Sequence, residues 1–234
     1  SLLLTGLTLA GVSSAQIAVM DFLTPTQMPA PINVLGSSNF SIALSADGLQ
    51  AMVESDRLGG SGGRDLFLLQ RPTTSSSFTS YGSMGFCDGN DEGRGLWVDL
   101  LTVLFSSIRP GGAGGHDLYM VSRAGASFGP RIPISSLNSP WDDCDPSLTS
   151  DGLEFFFTSN RPGSLGGRSI WRSTRTSLND AWGSPVALNS IDSANHEQSP
   201  SLTDDGLWLF FSSNRTGNFD IYAAARPNTQ SPFG

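Results

Sequence analysis

The sequence predicts an all-β fold that is assembled from four copies of one structural unit. An Asp recurs at intervals of 52, 52 and 54 residues, and an Arg follows each copy ten positions later. No part of a unit shows the 3.6-residue apolar period of a helix. A repeat of about 50 residues in strand-rich sequence is typical of stacked or radially arranged β-units. The recurring residues are Asp47, Asp99, Asp151 and Asp205, with Arg57, Arg109, Arg161 and Arg215.

The unit from residue 146 to residue 175 shows how each copy becomes a small sheet. Residues 150–152 (Ser-Asp-Gly) predict a tight turn, because Gly accepts positive φ and Asp bonds to nearby backbone. Residues 153–158 (LEFFFT) are apolar and bounded by turn residues, which predicts a strand buried on both faces. Residues 169–175 alternate large and polar side chains, as a half-exposed strand does. Shorter first and fourth strands are predicted at residues 146–149 and 185–188.

Four strands per unit indicate the blades of a β-propeller, because a lone four-stranded sheet cannot bury both of its faces. Sheets arranged about an axis bury each face against a neighbour and leave only short edges. We expect four blades, with residues 32–35 acting as an N-terminal strand that completes the last blade. Two alternatives stay open: five blades, with residues 1–22 as a worn first unit, and a fragment of a six-bladed ring.

The motifs PSLTSDGLEFFFTSNRPG, at residues 146–163, and PSLTDDGLWLFFSSNRTGNFDIY, at residues 200–222, carry a family resemblance. They resemble the WD40-like Pro-Asp repeats of TolB-type β-propellers, and the resemblance extends from about residue 29 to residue 226. It implies a propeller fold. It implies no single activity, because such repeats occur in translocation accessories, peptidase partner domains and lyases.

Composition narrows the possible partners. The 234 residues suffice for one all-β domain, which we place at residues 16–234 and expect to be monomeric. The formal net charge is −8, and all 13 basic residues are Arg. A nucleic-acid-binding protein needs a basic footprint, so nucleic acid is an unfavourable partner, as is an anionic membrane surface.

Residues 1–15 resemble the end of a bacterial signal peptide. An apolar run at residues 2–10 precedes Ser13, Ser14 and Ala15, which are small residues of the kind found at a cleavage site. The run is too short to span a membrane. We therefore expect an exported protein, periplasmic or extracellular, without a transmembrane segment. The worn first blade is the alternative interpretation of these residues.

The connections that lead into the first strands of the second, third and fourth units are rich in acids. In a propeller such connections share one face near the axis, so we expect their carboxylates to converge. Convergent carboxylates can bind a basic or polyhydroxy ligand, or hold Ca²⁺, while the alternative is that each acid only stabilises its own turn. The candidate ligand-binding residues are Asp91, Glu92, Trp141, Asp142, Asp143, Asp145, Asp192, His196 and Glu197.

Three functions follow from this pattern. The favoured one is a non-catalytic propeller that binds a protein or glycan at the acidic face, since no nucleophile, metalloprotease or nucleotide-binding motif is present. The second is a glycoside hydrolase or lyase that uses two of these carboxylates, so the question of an enzyme stays open. The third is a repeat segment of a larger envelope protein. No catalytic residue is assigned, and Ca²⁺ is the one cofactor considered.

The residues that recur in every unit suit a structural role. The Asp series, from Asp47 to Asp205, is expected to hold turns, and the Arg series, from Arg57 to Arg215, is expected to bond loop carbonyls or an adjacent blade. Cys87 and Cys144 occupy comparable connections of consecutive units. Either a disulfide or two separate thiols fits that placement.

Overall fold

The computed structural model describes residues 27–125 and 127–234, which form sixteen β-strands in four antiparallel sheets. Each sheet is called a blade, numbered in chain order. Blade 1 contains β1 (Asn39–Leu44), β2 (Gln50–Ser55), β3 (Asp65–Gln70) and β4 (Thr79–Ser83). Blade 2 contains β5 (Glu92–Trp97), β6 (Thr102–Ser107), β7 (Asp117–Ala124), β8 (Ser127–Phe128) and β9 (Ile132–Pro133). Blade 3 contains β10 (Asp143–Leu148), β11 (Glu154–Ser159), β12 (Ser169–Thr174) and β13 (Val186–Ala187). Blade 4 contains β14 (Glu197–Leu202), β15 (Trp208–Ser213) and β16 (Asp220–Ala225).

The four sheets are arranged as a four-bladed β-propeller, which confirms the predicted fold class. The first strand of each blade is innermost: β1 lies against β5, β5 against β10, and β10 against β14. Within each blade the strands follow one another outward as antiparallel neighbours. Every connection into a first strand therefore starts at the outside of one blade and returns to the axis at one end of the propeller.

Apolar side chains of the second and third strands fill the spaces between blades. Met52 and Leu66 of blade 1 pack with Phe105 of blade 2, and equivalent clusters lie between blades 2 and 3 and between blades 3 and 4. All six residues of β11 are buried, as the LEFFFT motif predicts. Full burial of one such side chain stabilises a fold by about 1.5–3 kcal/mol, so these three interfaces hold the blades together.

The inner strands begin earlier than the sequence indicates. β10 starts at Asp143 and β14 at Glu197, three residues before the prolines Pro146 and Pro200 that suggest a strand start. Each inner strand contains a register shift near its third residue, and the paired register resumes one residue after each proline. An innermost strand has one edge that faces the axis, where a missing N–H is tolerated. Four of the acids predicted for connecting loops, Glu92, Asp143, Asp145 and Glu197, therefore lie in inner strands, while Asp91, Asp142 and Asp192 stay in the connections.

The predicted clasp at residues 32–35 is wrong. These residues form turns, and Ile32 packs on Ala51, Val53, Leu69 and Phe78 of blade 1. They occupy the position of the connection that precedes an inner strand, where Leu137 and Ile191 lie in the later units. Between residues 27 and 234, β1 and β14 make no contact. The signal-peptide-like residues 1–15 and the alternative first blade at residues 1–22 lie outside the described residues.

Cys87 and Cys144 are free thiols, so the disulfide alternative is excluded. In the part of the chain that the structure describes, no helix has the length and apolar character needed to cross a membrane.

Candidate functional site

Each recurring Arg bonds to the residue that opens the inner strand of its own blade. Arg109 Nη2 lies 2.9 Å from Glu92 Oε1, and Arg215 Nη2 lies 3.1 Å from Glu197 Oε1. The same guanidiniums reach the carbonyls of the preceding connection in three blades, for example Ile191 O at 2.7 Å from Arg215. Each also lies over an aromatic ring of its own blade. The remaining pairs are Arg161 with Asp143 and Arg57 with Asn39.

Three of the nine residues expected to contact a ligand therefore point into the protein interior. Glu92, Asp143 and Glu197 are 0% exposed, so they cannot touch a ligand on the surface as expected. The first unit does not lack this acceptor, since the side-chain oxygen of Asn39 accepts from Arg57 at 2.7 Å. The first unit thus differs from the other three because an amide replaces the carboxylate in this structural bond.

The residue before each of these acids has a second repeated role. Asp91 accepts a hydrogen bond from the backbone N–H of Arg64 at 3.0 Å, and Asp142 accepts one from His116 at 3.0 Å. His196 takes the same place in blade 4, where its Nδ1 accepts from the N–H of Arg168 at 3.1 Å. A carboxylate and an unprotonated imidazole nitrogen are both acceptors, so the two residue types are interchangeable here. Each of these bonds joins one blade to the next.

The other candidates are spread over several environments. Trp141 is 43% exposed beside Asp142, whose Oδ2 lies 3.0 Å from Arg168 Nη2. Asp145 has φ of 52° and joins blades 3 and 4, accepting from Ser199 N–H at 3.2 Å. Asp192 accepts from Leu165 N–H at 2.7 Å and from the Ser169 hydroxyl at 2.8 Å. Every carboxylate among the nine is engaged by the protein. Trp141 is exposed, and Asp91, Asp142, Asp145, Asp192 and His196 are partly exposed.

Burial and hydrogen bonds move the pKa values of these carboxyls in different directions. Burial raises the pKa of Glu92 to about 7, although the charge of Arg109 opposes the rise. Burial also raises the pKa of Asp192. In Glu197 burial acts in the same sense, but the hydroxyls of Ser193 and Ser213 hold its pKa below the ordinary value. In Asp142 burial is likewise outweighed, by bonds from His116 and by Arg168, and its pKa is lowered.

The Asp series holds the turn between the first and second strands of every blade. Asp151 Oδ1 accepts from Leu153 N–H at 3.0 Å and from the Thr149 hydroxyl at 2.6 Å. Gly152 follows with φ of 70°, a conformation that Gly adopts without strain, and this allows the Asp-Gly turn to form. The corresponding backbone bonds are Asp47 to Leu49, Asp99 to Leu101 and Asp205 to Leu207.

A cavity on the axis opens at the opposite end, among these turns. Its volume is about 680 Å³, and all four blades line it. Leu44, Leu148 and Leu202 supply apolar wall, and Ser147, Thr149, Ser150, Ser201 and Thr203 supply hydroxyl-bearing wall. Arg94 also lines the cavity, is partly buried, and makes no hydrogen bond or ion pair to another described residue. The carboxylates at the cavity are those of Asp99, Asp151 and Asp204.

Sequence reasoning missed two buried residues of the repeat. Asp65 and Asp117 open the third strands of blades 1 and 2 and accept backbone N–H groups of the preceding Gly-rich loop. Their signal is present, since Asp65, Asp117, Ser169 and Asp220 recur at 52, 52 and 51 residues. Arg94 gives no such signal because the other inner strands do not repeat it. Among the described residues, the one set whose donor atoms are close enough to share a cation is Asp65, Cys87 and Glu92.

No family profile matches this chain, and no curated protein sequence matches it. Solved structures do match. A TolB-type protein from Agrobacterium tumefaciens is 18% identical, with 81% of this chain and 58% of that chain covered and a TM-score of 0.54. TolB from Acinetobacter baumannii is also 18% identical, with 81% and 41% covered and a TM-score of 0.52. A thermostable family-43 glycoside hydrolase is 10% identical, with 87% and 73% covered and a TM-score of 0.58.

The chain spans less than two thirds of the length of both TolB proteins. Identities this low support a statement about fold and none about activity. The chain is a β-propeller similar in structure to TolB and to glycoside hydrolase propellers.

Proposed function

We propose that this protein is an exported, non-catalytic β-propeller that binds a protein segment or a glycan in the axial cavity. The observation that carries the proposal is the cavity of about 680 Å³ that all four blades line. Ligand pockets are concave, largely apolar and furnished with a few polar groups, and this volume lies within their usual range. Export is inferred from the signal-peptide-like residues 1–15.

The cavity end of the propeller suits a ligand better than the acidic end does. At the acidic end, Glu92, Asp143 and Glu197 are buried against Arg side chains and have no open face. At the cavity, Arg94 has no partner among the described residues, and several hydroxyls stand beside leucine side chains. A mixed wall of this kind can pack on the apolar parts of a ligand while it bonds to the polar parts.

Binding without chemistry is favoured by the state of two of the three cavity carboxylates. Asp99 and Asp151 each accept backbone N–H groups of their own turns. Hydrogen bonds from Thr149 and Leu153 lower the pKa of Asp151, which makes it a poor general base at neutral pH. A carboxylate that holds its own turn is not free to move a proton of a substrate.

The proposal is tested with the full chain on glycan and peptide arrays, each with and without Ca²⁺. Arg94→Ala should reduce binding by about tenfold or more, because it removes the unpaired charge of the cavity. Arg168→Ala is the matched control, since Arg168 lies at the other end of the axis beside Asp142. Loss of binding in Arg168→Ala but not in Arg94→Ala would move the site to the acidic end. No binding to either array by the wild type would remove the proposal.

One observation favours a second candidate, hydrolysis of a glycoside. Glu54 is 5% exposed and accepts hydrogen bonds from Ser41 and Arg64. Its pKa is raised by burial and, more weakly, by the charge of Asp145, which has a left-handed backbone conformation. Two carboxyl groups in one site are the pairing that glycosidases use, and backbone outliers are frequent at active sites.

This second candidate predicts turnover of aryl glycosides, an aryl arabinofuranoside included. Glu54→Gln and Asp145→Asn should each reduce the rate by at least about a hundredfold. Wild-type protein that binds a glycan but releases no aryl group over a long incubation would exclude hydrolysis and leave binding as the function.

A further inference from the structure

We propose that Asp65, Cys87 and Glu92 form a binding site for a zinc-class divalent cation between blades 1 and 2. One donor atom of each side chain lies within 4.8 Å of the others. Asp65 is the first residue of β3, Glu92 is the first residue of β5, and Cys87 lies in the connection between the two blades. A cation here would join the outer part of blade 1 to the inner strand of blade 2.

A buried oxygen without a partner points to a ligand at this cluster. Glu92 is 0% exposed; its Oε1 accepts from Arg109 at 2.9 Å and from Ser107 at 3.3 Å. Its Oε2 is buried and has no hydrogen-bond partner among the described residues. A buried carboxylate oxygen left without a donor loses its hydration and gains nothing in return. A cation would supply the missing interaction.

The connections between blades 2 and 3 and between blades 3 and 4 show how the connection between blades 1 and 2 differs. Between blades 2 and 3, Ser139 donates its N–H at 2.6 Å and its hydroxyl at 2.7 Å to Asp143. Between blades 3 and 4, Ser193 donates in the same way to Glu197 at 3.0 and 2.6 Å. The residue in that position between blades 1 and 2 is Asp88, whose carboxylate side chain has no donor and which makes no hydrogen bond to Glu92. Asp88 instead faces Arg109 at 3.6 Å and Arg131 at 3.4 Å.

Donor chemistry selects the class of cation. Thiolate sulfur and carboxylate oxygen together suit Zn²⁺ and its neighbours among the late first-row metals. Ca²⁺ takes six to eight oxygens and does not suit a site with a thiolate. Three protein donors leave a fourth tetrahedral position for water.

The charges also balance. When the cation binds, Asp65 and Glu92 are both carboxylates, and Glu92, whose pKa burial raises to about 7, releases any proton that it holds. The Cys87 thiol also gives up one proton to solvent and becomes a thiolate. Three negative groups, Arg109 and a divalent ion then sum to zero in a site that is mostly buried.

The test uses the full chain after metal removal, titrated with ZnCl₂ by calorimetry and with CoCl₂ by absorption. We expect one ion per chain and a thiolate-to-cobalt charge-transfer band. Cys87→Ser should remove the band and weaken Zn²⁺ binding by at least about tenfold. Cys144→Ser is the matched control and should change neither, because Cys144 lies outside the cluster. A wild type that binds no Zn²⁺, or a band that survives Cys87→Ser, would overturn the proposal.

A second measurement needs no variant, in case Cys87→Ser fails to fold. Zn²⁺ should slow the alkylation of Cys87 in the wild type by about tenfold or more, while Ca²⁺ has no effect and the buried Cys144 stays largely unmodified in every sample. Equal alkylation rates of Cys87 with and without Zn²⁺ would contradict the site.

Discussion

Arg226 of blade 4 and Glu154 of blade 3 form a buried ion pair, with Arg226 Nη2 2.7 Å from Glu154 Oε2. The side chain of Arg226 is 1% exposed and that of Glu154 is 10% exposed. Arg226 Nε also donates to Gly206 O at 2.7 Å, and its guanidinium lies over the ring of Phe233. The Arg226 side chain therefore contacts a turn and the outer edge of blade 4 and joins them to the second strand of blade 3.

Replacement of Arg226 by Met should lower the free energy of unfolding by about 2–4 kcal/mol. Met keeps the apolar stem but removes one of the two Arg partners of the buried Glu154 carboxylate, and Arg172 is the other. The measurement is urea denaturation followed by tryptophan fluorescence. Arg131→Met is the control, because the Arg131–Asp88 pair is about one third exposed on both sides. We expect that change to cost about 1 kcal/mol or less. Equal losses in the two variants would contradict the structural role of Arg226.

His196 is the hydrogen-bond acceptor before the inner strand of blade 4, and we expect it to tolerate replacement by Asp. Asp91 and Asp142 hold the same position in blades 2 and 3, so His196→Asp should preserve the bond to the Arg168 N–H. His196→Ala leaves that N–H without an acceptor and should cost about 1 kcal/mol. Denaturation midpoints at neutral pH distinguish the two variants. If His196→Asp is as destabilising as His196→Ala, the bond is not what His196 contributes.

The repeated parts of this fold were readable from the sequence because one residue type served one bond in several blades. Asp151 and its counterparts hold turns through their own backbone, a local interaction that spacing reveals. The Arg series has the same regularity, but its partners in other segments lie 17–26 residues away, so the sequence indicated a structural role without naming the bond. Because Asn39 stands where the other blades have an acid, the sequence did not reveal the copy of that bond in blade 1.

The candidate site was harder to predict, because tertiary structure decides whether a side chain faces solvent or the protein interior. Pro146 and Pro200 look like strand starts, yet the inner strands begin three residues earlier at Asp143 and Glu197. That difference converts a predicted acidic surface into buried ion pairs. The axial cavity has no sequence signal, because four separate turns build it and Arg94 occurs in only one of the four inner strands.

The Gly pair before the third strand of blades 1, 2 and 3 should tolerate no side chain at its first position. A Cβ on Gly166 would collide with the carbonyl oxygens of Ser193 and Asn195, which belong to backbone and cannot swing away. Gly166→Ala should therefore destabilise the protein by about 1–3 kcal/mol, measured by thermal and urea denaturation. Gly85→Ala is the control, since nothing lies within 4 Å of a Cβ there and its φ is not positive. A Gly166→Ala protein as stable as Gly85→Ala would show that the blades approach less closely than the structure has them.

The Asp turns predict a loss of stability in acid. Hydrogen bonds from the Thr149 hydroxyl and the Leu153 N–H lower the pKa of Asp151, and equivalent bonds lower those of Asp47 and Asp205. A carboxyl with a lowered folded-state pKa stabilises the fold above its unfolded value. That contribution disappears as the pH falls through the folded value. The denaturation midpoint should therefore begin to drop near the ordinary Asp pKa of 3.8 and continue to drop below it.

Asp151→Asn separates the charge from the hydrogen bond, because an amide oxygen accepts from the same N–H and does not titrate in this range. We expect the variant to show a shallower fall of its midpoint with pH below about 4 than the wild type shows. The comparison is a series of urea denaturation curves from neutral pH to about pH 2.5. Asp56→Asn is a control outside the repeated turns; Asp56 bonds to Ser38 N–H near the inner strand of blade 1. Identical slopes for wild type and Asp151→Asn would mean that the carboxylate charge of the turn adds nothing to the stability of the blade.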